Sequence, residues 1–492
     1  MAEDLETTEH TEINKVKDIL FTYGELEKIT GGIWKGFSAS PDKGIIAIST
    51  DSRKDCTGTI FFALRGESLD GHDYLDAAAS MNASAACISK ERASSTRLPE
   101  KIPMLVVNDT LKAYQSLANF HRRRLGLKII ALTGSSGKTG TKEILKAILV
   151  HSFGNDKVYA TDGNTNNHVG VPQNILNFRK NHEYAIIEMG TNHPGEIAVL
   201  SKIAEPDHGL IVSIGNAHIE FFGDTDGVAT EKSAIFAHMS NSGTAVIPAE
   251  GPGTMVLDKV TQKFKTMRFG AESAKSADLQ VEYLGGSMTG SSFELFWKSC
   301  GLRKKVSWHL TGRHQAMNAG AAVLVANAVG VSPDTAVDAL NKGVQIPGMR
   351  MRIQERDGIT WINDAYNANP DSMRAAIEWL KEATVSPDDR NSRVIIILGD
   401  MLEMGKSGPS AHEELLKFTT GTLPGASLIV VGPIMAGAAA RLRSNTEISM
   451  RDFPDSDEAA KYVKAKLRRG DIIFLKGSRG MKLEKIENMF SR

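Results

Sequence analysis

Ile129-Ile130-Ala131-Leu132-Thr133-Gly134-Ser135-Ser136-Gly137-Lys138-Thr139 is the stretch on which the reading of this chain turns. The apolar run Ile129-Ile130-Ala131-Leu132 predicts a buried strand, and Ile144, Leu145, Ile148 and Leu149 recur after it at helical spacing. A strand, a glycine turn carrying a lysine and a threonine, then a helix is the layout of a phosphate-binding loop. Backbone N–H groups at the helix start cradle a polyphosphate. Lys138 reaches the terminal phosphates and the Thr139 hydroxyl ligates magnesium. Gly134, Ser135, Ser136, Gly137, Lys138 and Thr139 are therefore predicted to grip a nucleotide. Leu132 stands where the longer form of this motif has a glycine, so the loop is the shorter GxxGKT form. The flanking strand and helix argue against a chance GKT in a loop.

Working outward, 492 residues are too many for one core, and two to four domains are expected. With 58 Lys plus Arg against 58 Asp plus Glu, bulk attraction to nucleic acid or to an anionic membrane is excluded as the main business of the chain. The three cysteines, Cys56, Cys87 and Cys300, are far apart and suggest neither a disulfide framework nor a zinc site, which fits a reducing, cytoplasmic setting. No apolar run approaches a membrane span. Residues 1–10 are acidic and polar, unlike a signal peptide, and read as a flexible tail.

Three α/β domains are expected: 1–107, 108–347 and 348–492. In the first, Ile45-Ile46-Ala47-Ile48, Ile60-Phe61-Phe62-Ala63-Leu64, Ala85-Ala86-Cys87-Ile88 and Met104-Leu105-Val106-Val107 read as strands. A helix over 111–125 leads to the glycine loop, and its Arg122-Arg123-Arg124 run reads as a solvated face. Strands and helices then alternate as in a parallel sheet, with candidates at Tyr184-Ala185-Ile186-Ile187 and Leu210-Ile211-Val212-Ser213-Ile214. A more β-like stretch spans 279–309, and an alanine-rich helix spans 315–329. The pattern restarts after Pro347-Gly348 with four strand–helix alternations, a second open, Rossmann-like sheet.

Ligands of open parallel sheets bind beyond the carboxyl ends of the strands. The glycine loop, Glu188 and His218 all follow strands and are expected to meet on one edge. A carboxylate and an imidazole there suit a metal beside the γ-phosphate, although a helix-start acid and a loop histidine remain open. His193 reads as structural. The amide-rich Asp162-Gly163-Asn164-Thr165-Asn166-Asn167-His168 suits a polar ligand or, equally, a turn. In the last domain, Asn363-Asp364-Ala365-Tyr366-Asn367-Ala368-Asn369-Pro370 and Lys476-Gly477-Ser478-Arg479-Gly480 follow strands. The Arg479 fork suits a carboxylate. Together these turns suggest a nucleotide in one domain and a second reactant in another.

These motifs, with Glu188-Met189-Gly190, Leu398-Gly399-Asp400-Met401-Leu402-Glu403-Met404-Gly405, Thr50-Asp51-Ser52-Arg53 and Phe61-Phe62-Ala63-Leu64-Arg65-Gly66, resemble the Mur ligases of bacterial cell-wall synthesis. The likeness runs from about Ile45 to the C-terminus in the family's order. It implies an ATP-dependent amide ligase of peptidoglycan precursor synthesis, and through it a part in cell shape and division. In the branch it resembles, D-alanyl-D-alanine is joined to UDP-N-acetylmuramoyl-tripeptide through an acyl phosphate, releasing ADP and phosphate.

The resemblance further implies that Lys138 and Thr139 bind ATP phosphates and Mg2+, and that Glu188 and His218 hold a second Mg2+. Lys232 matches a lysine that relatives carbamylate into a metal ligand; read from its own surroundings it is an exposed helix lysine. Asn318 and Arg350 are implied to contact ATP, with Asp364 near its ribose. Ser52, Arg53, Thr165, Asn166 and Asn167 are implied for the UDP-muramoyl peptide. Asn367, Asn369, Ser478 and Arg479 fall to the substrate side of the last domain. A monomer is expected. Gly140 departs from the Thr or Ser usual in relatives, and glycine there predicts a looser helix start. The alternatives are a sister ligase adding a single amino acid, whose Asp-Asn-Pro-Arg motif is missing here, a folylpolyglutamate synthase, and a non-catalytic ATP-binding protein on the same fold.

Overall fold

The computed structural model describes residues 19–36, 40–95, 99, 102–384, 392–443 and 450–490. The acidic tail 1–10 read from the sequence lies outside the described residues. The chain divides into two compact units, Met1–Arg124 and Leu125–Arg492.

In the first unit a five-stranded sheet runs in the order Ile33–Lys35, Met104–Val107, Ala85–Ser89, Thr59–Phe62, Ala47–Ser49. Only the first pair is antiparallel. The apolar run at 45–48 is not one strand. Gly44–Ile45 pairs with Phe21–Thr22, while Ala47–Ser49 joins the larger sheet, and Ile46 between them donates its N–H to Gly58. The arginine run is not wholly solvated either. Arg124 donates to the Leu20 carbonyl at 2.8 Å and lies 4.8 Å over the Phe21 ring, a packed cation–π contact.

The second unit holds two sheets. The central one has nine strands, in the order Leu302–Trp308, Gly290–Trp297, Leu279–Ser287, Lys265–Ala271, Thr244–Pro248, His208–Ile211, Lys128–Thr133, Tyr184–Glu188, Val158–Ala160. Its pairings are parallel as far as Leu279–Ser287, and within the β-like stretch 279–309 the last two strands in sequence form antiparallel hairpins. Lys128–Thr133 is covered on both faces, which is why Ile129, Ile130, Ala131 and Leu132 form a continuous apolar run with no exposure. Helix Lys138–Phe153 buries Ile144, Leu145, Ile148 and Leu149 against that sheet, and Arg313–Ala328 packs beside it. The small alanine side chains of Arg313–Ala328 let the two helices approach closely.

The third sheet runs Arg352–Arg356, Ile359–Asn363, Ile472–Lys476, Val394–Gly399, Ser427–Val431, Met450–Phe453, parallel except for the first pair. It has a core on each face, one around Trp379 and Phe474 and one around Trp361 and Ile473. The cysteines are unpaired, with Cys56 and Cys87 buried and Cys300 exposed. Among the described residues no helix is long and apolar enough to cross a membrane.

Candidate functional site

The strand Lys128–Thr133 lies between Tyr184–Glu188 and His208–Ile211, so the glycine loop, Glu188 and the His218 loop leave one edge of the central sheet, as predicted. Gly137 takes the left-handed conformation (φ 79°) that ends the loop and starts the helix at Lys138. The strand expected over 210–214 stops at Ile211 because the chain beyond it serves the loop. Ser135 N donates to the Ser213 carbonyl, and Ser136 N donates to Ser213 Oγ, each at 2.9 Å. Gly215 N donates to Ser135 Oγ at 2.9 Å. Ser213 was not predicted, and nothing in its spacing marks it.

Lys138 folds back over the loop and donates from Nζ to the Gly134 carbonyl at 2.7 Å. Burial lowers its pKa; the nearby Glu188 carboxylate opposes that shift and Arg350 adds to it. Glu188 is 1% exposed. Its Oε2 accepts from Thr139 Oγ1 at 3.0 Å, and its Oε1 accepts from Asn166 Nδ2 at 2.9 Å. The amide-rich loop thus reaches the phosphate loop through Asn166. Asn167 instead caps the helix Gly170–Leu176 through Val169 N and Gly170 N, and Thr165 Oγ1 donates to the Asp162 carbonyl.

Asn318 comes to the loop from helix Arg313–Ala328 and is boxed in. A Cβ on Gly137 would lie 2.5 Å from Asn318 Oδ1, and one on Gly140 would lie 3.3 Å from both Asn318 Nδ2 and Gln315 Oε1. Asn318 Nδ2 donates to Gln315 Oε1 at 3.2 Å. The helix runs from Lys138, and Gly140 within it makes room for Asn318.

Lys232 overturns the expectation of an exposed helix lysine, since it is 1% exposed. The polar run around it is misleading because Glu231 is turned inward. The Glu231 carboxylate accepts from Gly195 N at 2.7 Å and Ile197 N at 2.9 Å, capping helix Glu196–Ala204. Burial holds the Lys232 ammonium pKa well below its usual value, and the Lys138 charge depresses it further. A lysine driven toward its neutral amine is a nucleophile.

The C-terminal sheet meets this edge. Asn369 Nδ2 donates to Ser136 Oγ at 3.1 Å while its Oδ1 caps the next helix through Ser372 N at 2.9 Å. Asp371 Oδ2 accepts from Asn216 N at 3.0 Å. Arg350 lies 3.7 Å over the Tyr366 ring. Asp364 accepts from Met351 N at 3.2 Å and pairs with buried Lys476. His218 Nδ1 lies 2.8 Å from Glu403 Oε2. Three predicted residues are engaged within the C-terminal part of the chain. Arg479 pairs with Glu484 at 2.6 Å, Ser478 Oγ accepts from Leu402 N at 2.9 Å, and Asn367 Oδ1 accepts from Ala368 N at 2.9 Å. In the first unit Ser52 follows Asp51, and exposed Arg53 holds Asp51 in a two-pronged pair that lowers the Asp51 carboxyl to about 2. His193 lies 3.5 Å from Glu196 and edge-on to Phe221.

A magnesium ion suits the Thr139–Glu188 pair. Both donors are hard oxygens, and among the described residues the buried carboxylate has only a hydroxyl and an amide bonded to it. Among the described residues no group of three or more His, Cys, Asp or Glu forms a metal cluster alone. Mg2+ takes one or two carboxylates and completes its shell with water and phosphate.

The Mur ligase middle domain matches residues 132–326, and the Mur ligase, glutamate ligase domain matches 349–479. The chain belongs to the Mur ligase family. Within it, the chain is 32% identical over 466 residues to the UDP-N-acetylmuramoyl-tripeptide–D-alanyl-D-alanine ligase of Bacillus subtilis, covering 92% of this chain and 95% of that one. The Escherichia coli protein of the same name is 34% identical, covering 81% and 83%. A crystal structure of MurF from Acinetobacter baumannii superposes with a TM-score of 0.84 at 31% identity, covering 96% of this chain and 99% of that one. MurF ligase from Thermotoga maritima, in complex with ADP, gives 0.76 at 25% identity, covering 90% and 96%.

Proposed function

We propose that this protein is an ATP-dependent amide ligase that joins D-alanyl-D-alanine to UDP-N-acetylmuramoyl-tripeptide in cytoplasmic peptidoglycan precursor synthesis, acting as a monomer. The observation that carries the reading is the phosphate loop with its buried Thr139–Glu188–Asn166 set, faced by Asn369 and Asp371 of the C-terminal sheet. Nucleotide grip and a second reactant's domain therefore share one edge.

The mechanism follows from that placement. The tripeptide's terminal carboxylate attacks the γ-phosphorus of ATP, giving an acyl phosphate and ADP. The free amine of D-alanyl-D-alanine then attacks the acyl carbon, phosphate leaves, and an amide remains. Lys138 and the loop Gly134-Ser135-Ser136-Gly137 hold the phosphates, and Lys138 offsets charge as phosphate moves. Asn318, Arg350 and Asp364 hold the rest of ATP. Thr139 and Glu188 would hold one Mg2+, and Glu188, His218 and Lys232, if carbamylated, a second. Bound there, the cations offset the negative charge that keeps carboxylate and phosphate apart. Residues 1–107, with Ser52 and Arg53, and the loop Thr165-Asn166-Asn167 take the UDP-muramoyl peptide. Residues 108–347 take ATP, and 348–492, with Asn367, Asn369, Ser478 and Arg479, take the acceptor. Excluding water from the acyl phosphate prevents its hydrolysis.

The test is phosphate release with UDP-N-acetylmuramoyl-tripeptide and ATP, comparing D-alanyl-D-alanine with single amino acids. Release only with the dipeptide is expected, and Lys138→Ala abolishes it. Preference for a single amino acid would indicate the sister activity, and turnover by Lys138→Ala would remove the phosphate-loop assignment.

A further inference from the structure

The His218 imidazole faces a carboxylate from a different sheet. Its Nδ1 is buried and makes no aligned hydrogen bond among the described residues, but lies 2.8 Å from Glu403 Oε2, an ion-pair contact. Both residues sit in left-handed backbone, His218 at φ 59° and Glu403 at φ 64°. Such conformations cost free energy in residues other than glycine and persist where surrounding structure enforces them.

The enforcing structure is visible on the Glu403 side. The loop after strand Val394–Gly399 is clamped at successive residues. Met401 N donates to the buried His412 Nε2 at 2.8 Å, and His412 Nδ1 in turn donates to the Gly408 carbonyl at 2.6 Å. Leu402 N donates to Ser478 Oγ at 2.9 Å. Beyond Glu403 the loop presses on the short helix Ile219–Phe222 that His218 begins. A Cβ on Gly405 (φ 51°) would lie 2.8 Å from Glu220 Cγ, so only glycine permits this approach. The clamp on two amides and the close approach at Gly405 both aim Glu403 at His218.

We propose that Glu403 is a positioning residue for His218: the C-terminal sheet supplies the carboxylate that engages the otherwise unpartnered Nδ1 and leaves Nε2 as the ligating nitrogen. A ring held by a carboxylate on one nitrogen is a stronger and better-aimed cation ligand through the other. The cation site of the central sheet is then complete only with the C-terminal sheet in place. This rests on the reading of His218 as a cation ligand, so the experiment separates the two.

Mn2+ is titrated into the full-length protein holding a non-hydrolysable β,γ-methylene ATP, with free Mn2+ read by electron paramagnetic resonance. The variants are His218→Ala, Glu403→Ala, Glu403→Gln and the double alanine. The Glu403 side chain is 52% exposed, so truncating it opens no buried hole. Expected is a rise of about 10–100-fold in the Mn2+ Kd for Glu403→Ala. Glu403→Gln, whose carbonyl still faces Nδ1, recovers most of that loss. The double variant binds no more weakly than His218→Ala alone. If His218→Ala weakens binding while Glu403→Ala matches the parent, or if the two losses add, the positioning role is wrong. If His218→Ala itself binds Mn2+ like the parent, the ligand reading falls and the inference falls with it.

Discussion

Removing the Asp364 carboxylate strands a buried charge. Lys476 is 3% exposed, pairs through Nζ with Asp364, and among the described residues has beyond it only the Asn367 carbonyl at 3.4 Å. Asp364→Ala leaves that ammonium without a counter-charge, which costs about 3–5 kcal/mol for a buried pair broken on one side. Met351 N also loses its acceptor, adding about 1 kcal/mol. The sum, about 4–6 kcal/mol, rivals the whole stability of many domains, about 5–15 kcal/mol. Adding Lys476→Met removes the stranded charge, and the double variant should return to within about 1–2 kcal/mol of the parent. Urea unfolding is the assay, read by tryptophan fluorescence, because Trp361 and Trp379 are buried in the two cores of this sheet. A single variant within about 1 kcal/mol of the parent, or a double variant no more stable than the single, would refute the ion-pair reasoning. The same pair of variants separates structure from ligand binding. If Asp364 touches ATP, the double variant regains stability without regaining phosphate release.

Lys232→Met should raise the stability of the protein in carbon-dioxide-free buffer by about 1 kcal/mol or more, since it replaces a buried ammonium by an apolar chain of similar length, and should abolish turnover. A loss of stability would contradict the burial argument. Gly140→Ala adds up to about 1 kcal/mol of helix propensity but pushes on Asn318 and Gln315 at 3.3 Å. The expected result is a KM for ATP raised several-fold with little change in melting temperature, and an unchanged KM would show that Gly140 does not make room for Asn318. Burial holds His314 down to about 4 in the folded protein, against about 6.5 in the unfolded chain. Between those values the unfolded chain binds more protons, so this contribution is whole above about pH 6.5 and is lost as pH falls toward 4. Sealed completely, the ring would account for about 3 kcal/mol; it keeps some solvent contact, so about 1–2 kcal/mol is expected, measured as the difference in acid destabilisation between the parent and His314→Gln.

Much of the fold was legible because strand and helix periods are local properties. The run Ile129-Ile130-Ala131-Leu132 and the helical spacing of Ile144, Leu145, Ile148 and Leu149 were read and are found buried. The strand breaks were not legible. The run 45–48 divides between two sheets, and 210–214 leaves its sheet at Ile211 to bond the phosphate loop, because partner strands and a remote loop decide where pairing stops. The same holds for Arg124, whose aromatic partners lie far away or one turn back.

By itself the sequence determined the chemical kinds of residue at each strand end: a glycine loop with Lys138 and Thr139, an acid at Glu188, amides at Asn166 and Asn369. Those follow from short-range order, in which a strand, a turn and a helix place a few residues on one edge. The tertiary structure decided what those residues touch. It turned Glu231 inward and buried Lys232, packed Asn318 against two glycines, gave Glu188 to Thr139 and Asn166, and set Glu403 beside His218. Each of these joins positions remote in sequence, or depends on one that does. Burial and hydrogen bonding depend on which surfaces meet across the fold, a property that no local pattern carries.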